Sequence, residues 1–372
     1  MENKLSPIIK WAGGKEKELP VILSNLPEHF DNYYEPFVGG GAVFTAMQAE
    51  KYFINDKSSE LINLYNAIKE KDNNFFEYSN IIMELWRKVG FIIEQHTELQ
   101  NKYKNIRNDV LSKDIVKEMF SKEYADTISE IKQNIPVKLP NQEILFFEIE
   151  KNLFDKVLRM NKLEKKLHVL SDDDLYLNLE TGFLSGVYMY LRDLYNDKSI
   201  MQDKALSTAL FLFIRNYCYS GMFRYNSKGE FNVPYGGIGY NGKTLTKKIE
   251  YYLSDELAKL MHKTSIYNLD FEDFISITKP TENDFIFLDP PYDSDFSTYA
   301  KNTFDKSDQK RLADCLINKC NSKWMMIIKN TPYILSLYEN KNLNIKVFDK
   351  TYLVSFMNRN DKKTEHLLIT NY

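Results

Sequence analysis

Asn32-Tyr33-Tyr34-Glu35-Pro36-Phe37-Val38-Gly39-Gly40-Gly41-Ala42 opens as a short extended run and closes in a glycine turn. Residues 42–49 then have helical composition. Tyr52-Phe53-Ile54 reads as a second short strand, ended by Asn55-Asp56. Leu61, Leu64, Tyr65 and Ile68 follow at helical spacing. Strand, glycine turn, helix, strand, helix is the opening of an α/β protein built on a parallel sheet.

Beyond this opening the character changes. Residues 73–204 carry apolar side chains at helical spacing, such as Ile81, Leu85, Ile92 and Ile93, among many Lys, Glu, Asn and Asp. Breakers are rare there, apart from Gly90, Pro136, Pro140, Gly182 and Gly186, so the stretch is predicted to be a mostly helical insertion. Within it Asp172-Asp173-Asp174 reads as a solvated loop or a helix start rather than a metal site. Residues 206–216 read as a buried helix, and 217–240, turn-rich and polar-aromatic, as a hairpin or extended loop. After Asn241 the alternation resumes, with a helix over 246–263 and strands over 265–269 and 285–288. A helix over 307–318, a strand over 324–328, and last strands over 344–348 and 365–370 complete the chain.

Composition narrows the function. The 372 residues suffice for one large domain or two moderate ones. The net charge of −3 argues against coating nucleic acid by bulk charge, though a local basic groove stays open. The 25 Tyr and 24 Phe can pack a core or stack on bases. Cys218, Cys315 and Cys320 are odd in number and form no CxxC pair, which fits a reducing cytosol and no disulfide framework. His29, His96, His168, His262 and His366 lack ligand spacing, so no metal site is expected. Met1 to Leu5 is not the start of an apolar leader, and no run of 18 or more apolar residues occurs. A soluble, cytoplasmic chain without a membrane partner is expected.

Two motifs carry chemistry. In the first, glycines between strand and helix let the backbone turn tightly and a ligand approach closely. Asp56 lies 17 positions after Gly39, near the spacing of about 20 at which an acid meets ribose hydroxyls. Taken alone, the turn reads equally as a tight strand-to-helix connection. It is also not GxGxxG, because Phe44 stands at the third glycine position. The second motif is Asp289-Pro290-Pro291-Tyr292, which directly follows Phe285-Ile286-Phe287-Leu288. That places it at the carboxyl end of a central strand, where open α/β sheets bind ligands. An exocyclic amino group on an aromatic base is a poor nucleophile, since its lone pair is delocalised into the ring. The Asp289 carboxylate and the Pro290 carbonyl can each accept one of its N–H bonds, localise that lone pair and stabilise positive charge developing on nitrogen. Tyr292 offers a flat face for an extruded base. No metal and no covalent enzyme intermediate are required.

With these motifs in place the chain resembles the Dam class of DNA adenine-N6 methyltransferases. Lys10-Trp11-Ala12-Gly13-Gly14-Lys15 is similar to the N-terminal cofactor motif of that class, and Asn55-Asp56 to its acidic motif. Asp270-Phe271 is similar to a pair flanking the cofactor adenine. Arg215-Asn216, Ser220 to Asn226 and Gly229 to Gly236 are similar to its DNA-contacting hairpin. The resemblance covers roughly residues 5–70 and 205–372. It implies a Rossmann-like methyltransferase sheet in residues 1–70 and 241–372. A largely helical target-recognition region in 71–240, with the hairpin at about 217–240, would complete the molecule. It implies S-adenosylmethionine as methyl donor, leaving as S-adenosylhomocysteine. Trp11 and Lys15 would contact its methionine end, Phe37 with Gly39 and Gly41 would line the pocket, and Asp56 would bind the ribose. Asp270 and Phe271 would hold the adenine, and Asp289 would face both cofactor and target.

Double-stranded DNA is the implied partner, together with a cognate restriction endonuclease; the chain is expected as a monomer or weak dimer. A stacked adenine is out of reach, so base flipping is expected. In the hairpin Arg224 and Lys228 are candidates for phosphate or guanine contacts, and Tyr225 and Asn226 for filling the gap left by the flipped base or pairing with the orphaned base. Asn232 and Pro234 belong to the same surface. Lys243, Lys247 and Lys248 form a small basic cluster. The helical segment is longer than in compact members, so no recognition sequence carries over. Three alternatives stay open: the same chemistry on cytosine N4, RNA or a glutamine amide; a non-catalytic DNA-binding relic; and an NAD-dependent oxidoreductase, which predicts GxGxxG.

Overall fold

The computed structural model of the chain describes residues 5–107, 113–135, 138–292, 304–351 and 363–372. Pro136 lies outside them. The chain divides into two compact units, Met1–Glu70 with Tyr252–Tyr372, and Lys71–Tyr251.

The first unit begins with helix α1 (Leu19–Leu23), strands β1 (Tyr33–Glu35) and β2 (Tyr52–Asn55), and helix α2 (Ser59–Lys69). The chain then runs through the second unit in α3 (Asn73–Gln95), α4 (Leu99–Ile106), α5 (Lys113–Asn134), α6 (Gln142–Lys166), α7 (Asp172–Asn196), α8 (Lys204–Tyr217) and α9 (Thr246–Tyr252). It returns through α10 (Asp255–His262), β3 (Thr264–Tyr267), α11 (Phe271–Thr278) and β4 (Phe285–Leu288). The remaining elements are α12 (Lys306–Asn318), β5 (Lys323–Lys329), α13 (Pro332–Tyr338), β6 (Asn344–Thr351) and β7 (Lys363–Thr370).

The seven strands form one sheet in the order β3-β2-β1-β4-β5-β7-β6. The first five are parallel, and β7 runs antiparallel to both β5 and β6. Every residue of β4 is buried, as are residues 324–328 of β5, the pattern of strands covered on both faces. Alternation divides them between the faces: Tyr34, Ile286, Leu288, Trp324, Met326 and Ile328 share one core cluster with α11, α12 and α13. On that face the Tyr34 and Phe53 rings stack at 4.6 Å. Strand order reverses between β1 and β4, which makes their carboxyl ends the crevice where such sheets bind ligands.

Two predicted elements differ. Residues 42–49 form only a 3-10 turn over Phe44–Ala46, after which Met47 is extended. The Tyr52 hydroxyl donates to the Met47 carbonyl and accepts from Ala49 N–H, taking backbone groups a helix would use internally. The predicted helix 246–263 is two helices, because the Ser254 side chain caps α10 by accepting from Leu257 N–H.

The second unit packs α6 closely on α7. A Cβ at Gly186 would fall 2.3 Å from the Ile149 Cα, so only glycine allows this approach. The triple-Asp run forms the first turn of α7, capped by Ser171, where carboxylates meet the positive end of the helix dipole. The region 217–240 folds back on itself, with antiparallel bridges between Cys218 and Tyr235 and between Tyr225 and Phe231. The three cysteines are free thiols. Among the described residues no helix is long and apolar enough to cross a membrane.

Candidate active site

Because β1 to β4 are parallel, the segments leaving β1, β2, β3 and β4 emerge at one edge of the sheet. These segments are the glycine turn, Asp56, the approach to Asp270, and Asp289 to Tyr292. Asn55, 1% exposed, ties three of them together. Its amide donates to the Pro36 and Leu269 carbonyls at 2.9 and 3.1 Å, and its oxygen accepts from Leu269 N–H at 2.8 Å.

In the glycine turn Gly39 and Gly41 take φ of +48° and +77°, the left-handed region that glycine enters without steric cost. A Cβ at Gly39 would meet the Trp11 ring at 2.9 Å. The Tyr65 hydroxyl donates to the Gly39 carbonyl at 3.0 Å, and Ile8 N–H donates to the Gly40 carbonyl at 2.9 Å. The N-terminal motif therefore lies directly on the turn. Asp56 accepts from Gly39 N–H at 3.0 Å and from Ser58 N–H at 2.9 Å. Burial pushes its carboxyl up to about 6, against the opposing pull of those N–H donors. Deeper in the sheet Glu35 accepts from the Tyr33 hydroxyl at 2.7 Å. Burial raises the Glu35 carboxyl well above the usual carboxylate range, which that hydrogen bond only partly offsets.

Asp270 caps α11 by accepting from Glu272 N–H at 3.1 Å and receives both Arg311 nitrogens at 3.1 and 3.0 Å. Burial works against the Asp270 charge, but the Arg311 fork outweighs it and holds the carboxyl below its usual range. The Arg311 guanidinium also lies over the Phe271 ring, 4.7 Å from its centroid. Phe37 meets Phe271 at 5.7 Å and Phe304 at 5.6 Å, an aromatic wall beside the turn.

Asp289-Pro290-Pro291-Tyr292 is anchored at three of its residues. Lys15, 2% exposed, forms an ion pair with Asp289, donates to the Gly13 carbonyl at 2.9 Å and lies over the Tyr292 ring at 5.7 Å. Gln309 of α12 donates its side-chain amide to the Pro291 carbonyl at 2.7 Å. His366 of β7, fully buried, hydrogen-bonds the Tyr292 hydroxyl through Nε2 at 3.1 Å. The structure thus brings Trp11, Gly39 and Asp56 to one turn and pairs Lys15, from the same N-terminal motif as Trp11, with Asp289. The sequence gives no site role to Gln309 or Arg311, and reads Tyr65 only as a helix-face residue and His366 only as a histidine without ligand spacing. Each sits inside a helix or strand with no local motif around it, so only tertiary contact reveals its role.

In the second unit the predicted nucleic-acid residues occupy the folded-back loop. Asn226 is committed to its turn: its side chain donates to Glu230 at 2.8 Å and accepts from Lys228 and Glu230 N–H at 2.9 and 3.0 Å. Tyr225 is half-buried against Phe223 and Phe231, with its hydroxyl 3.1 Å from that of Tyr195. Arg224 is exposed and donates to Asn232 at 3.0 Å. Lys228 and Pro234 are exposed. Lys243, half-buried between the Tyr217 and Tyr240 rings, donates to the Asn216 carbonyl at 2.5 Å and so braces the loop. The same unit gathers His96, Glu98 and Asp126, with ligand atoms within 4.8 Å of one another. Sequence spacing hid this cluster, because Asp126 comes from α5. The Lys102 ammonium offsets one of its two carboxylate charges, at 2.6 Å from Asp126 and 3.4 Å from Glu98.

A mostly parallel sheet whose switch point carries a glycine turn, a half-buried acid and Asp-Pro-Pro-Tyr defines an enzyme of the methyltransferase class. Comparison with known proteins names the group. The family described as D12 class N6 adenine-specific DNA methyltransferase matches residues 11–165 and 151–354, and the chain belongs to that family. It is 26% identical to the Type II methyltransferase M1.LlaDCHI of Lactococcus lactis subsp. cremoris, over all of this chain and 98% of that protein. It is 26% identical to the Type II methyltransferase M.MjaIII of Methanocaldococcus jannaschii, over 99% of this chain and all of that protein. To the DNA adenine methylase of Salmonella typhi it is 23% identical, over 98% and 95% of the two chains. The enzyme methylates adenine N6 in DNA, and membership implies S-adenosylmethionine as the donor. This decides among the open alternatives: cytosine N4, RNA, a glutamine amide, a non-catalytic relic and hydride transfer are set aside.

Proposed function

We propose that methyl transfer takes place at the carboxyl ends of β1 and β4, on an adenine flipped out of double-stranded DNA. The ion pair of buried Lys15 with Asp289 carries the reading, because it fixes the motif's carboxylate beside the glycine turn. The cradle fits S-adenosylmethionine: Gly39 leaves space that a Cβ would fill against Trp11, and Asp56 stands at the end of β2. In this reading Trp11 and Lys15 hold the methionine end, Phe37, Gly39 and Gly41 line the pocket, Asp56 binds the ribose diol, and Asp270 with Phe271 holds the adenine. When bound, the cofactor's sulfonium supplies the electrophilic methyl group.

The protein's own part is positioning and electrostatics. Asp289 and the Pro290 carbonyl each accept one N–H of the target amino group, and the ion pair with Lys15 keeps the Asp289 carboxylate aimed. An ionised carboxylate has about four acceptor positions, so pairing with Lys15 leaves capacity for the amino group. Tyr292, steadied by His366, presents its ring for the base to stack on. Arg224 and Lys228 meet phosphate or guanine, with Tyr225, Asn226, Asn232 and Pro234 shaping that surface. The Type II names of two relatives suit a partnership with a cognate restriction endonuclease.

Replacing Asp289 by Ala tests the reading. The variant is expected to fold and to bind S-adenosylhomocysteine, while N6-methyladenine in digested product DNA falls by a thousandfold or more, about 4 kcal/mol of transition-state stabilisation. Methylation at the normal rate would remove Asp289 from the reaction.

A further inference from the structure

We propose that Gln309 is a positioning residue for methyl transfer, holding the Pro291 carbonyl so that the Asp289 and Pro290 acceptors stay aimed at the amino group. The inference rests on the reading of Asp289-Pro290 given above.

Gln309 is fully buried, in the first turns of α12, and its amide nitrogen reaches the Pro291 carbonyl 18 positions back along the chain. Burial of glutamine is unfavourable, and here the cost is larger. Its side-chain oxygen is buried without a hydrogen-bond partner among the described residues. A core position beside Leu312 and Ala313 that served packing alone would hold an apolar side chain. What the glutamine adds is one N–H, aimed at the carbonyl of the second proline. Two consecutive prolines contribute no backbone N–H, which leaves the motif fewer backbone bonds with which to fix itself.

The anchor itself is rigid. Asp305 and Asp308 form a capping box at the start of α12, and the Tyr333 hydroxyl donates to the Lys306 carbonyl at 2.7 Å. Lys15 fixes the motif at Asp289, and His366 fixes it at Tyr292. Gln309 restrains the peptide between them. Without it the Pro290 carbonyl can swing, while the glycine turn and Asp56, which other segments hold, stay unchanged. The expected signature is therefore a loss in rate without a loss in cofactor affinity.

The test compares the wild type with Gln309→Met, similar in length but without a donor, and with Gln309→Glu. Methyl transfer to duplex DNA is measured under single turnover, S-adenosylhomocysteine binding by calorimetry, and folding by thermal melting. Gln309→Met is expected to lower the transfer rate roughly ten- to hundredfold, since small misplacements near reacting groups have effects of that order. Its cofactor affinity should stay within twofold of the wild type. A buried glutamic acid favours its protonated form, whose O–H can donate to the same carbonyl. The Gln309→Glu rate, divided by the wild-type rate, should therefore rise as pH falls from 8 to 6. Asp289 and Lys15 are common to both proteins and cancel in that ratio. The proposal is overturned if Gln309→Met transfers methyl at the wild-type rate. It is overturned equally if rate, affinity and melting all fall together, or if the Gln309→Glu ratio is flat with pH. Asp289→Ala, assayed alongside, separates the two ideas. Full activity in that variant ends the reading of the motif, whereas its inactivity beside a fully active Gln309→Met ends only the role of Gln309.

Discussion

Asp56 illustrates how a single side chain carries both structure and chemistry. It accepts two backbone N–H bonds, one of them from the glycine turn, yet burial lifts its carboxyl to about 6. The folded-state value is thus raised, so the charged form is present above about pH 6 and is lost as pH falls through it. If the ionised form receives the ribose hydroxyls, affinity for S-adenosylhomocysteine should weaken by about tenfold from pH 7.5 to pH 5. That corresponds to the roughly 1.4 kcal/mol separating a charged from a neutral acceptor. Calorimetry across that range checks it, with Asp56→Asn as the control that should bind weakly at every pH. A wild-type affinity constant over the range would dissociate Asp56 from the cofactor. The place of Asp56 beside the glycine turn was legible in the sequence, since an acid ends the strand that follows the turn. Arg311, which grips Asp270 from α12, was not, because no spacing rule links residues 41 positions apart.

At the scale of elements, the strands were the most legible. Short apolar runs bounded by turn signals, such as Phe285–Leu288, are too short for a buried helix and read as strands. Short helices were the least legible: α1, α11 and α13 are too brief to display a period. The false helix over residues 42–49 failed because a neighbouring strand's Tyr52 captured its backbone. Gly182 and Gly186 looked like breakers within a helical run, but they sit inside α7 and let α6 approach. Gly186→Ala should therefore destabilise the protein by about 1–3 kcal/mol despite alanine's better helix propensity, because overpacking outweighs propensity. A melting temperature equal to or above that of the wild type would refute this.

For the whole molecule, the net charge of −3 means that DNA cannot be held by bulk attraction. Affinity must come from local groups. In the proposed reading these are Arg224 and Lys228, both exposed on the folded-back loop. Each phosphate contact contributes roughly one unit to the slope of log affinity against log salt. The double replacement by alanine should therefore flatten that slope by about two units while leaving S-adenosylhomocysteine binding intact. An unchanged slope would move the DNA contacts elsewhere. The abundance of aromatic residues had suggested either base stacking or core packing. Most of the largest fully buried side chains are tyrosines and phenylalanines, so the second use dominates.

By itself the sequence determined the α/β class, the parallel strands, the helical insertion and the two chemical motifs. All of these are local properties: apolar period, turn residues, and acids at strand ends. Only the tertiary structure decided how the motifs are held. Asn55 clasps three segments, Lys15 reaches Asp289, and Gln309 and His366 brace the Pro-Pro-Tyr run. The tertiary structure also decided which polar residues serve the fold, as Asn226 and Lys243 do. The physical reason is that a hydrogen bond or ion pair between distant segments depends on where folding brings them, and hydrophobic periodicity records which face is buried but not what that face meets.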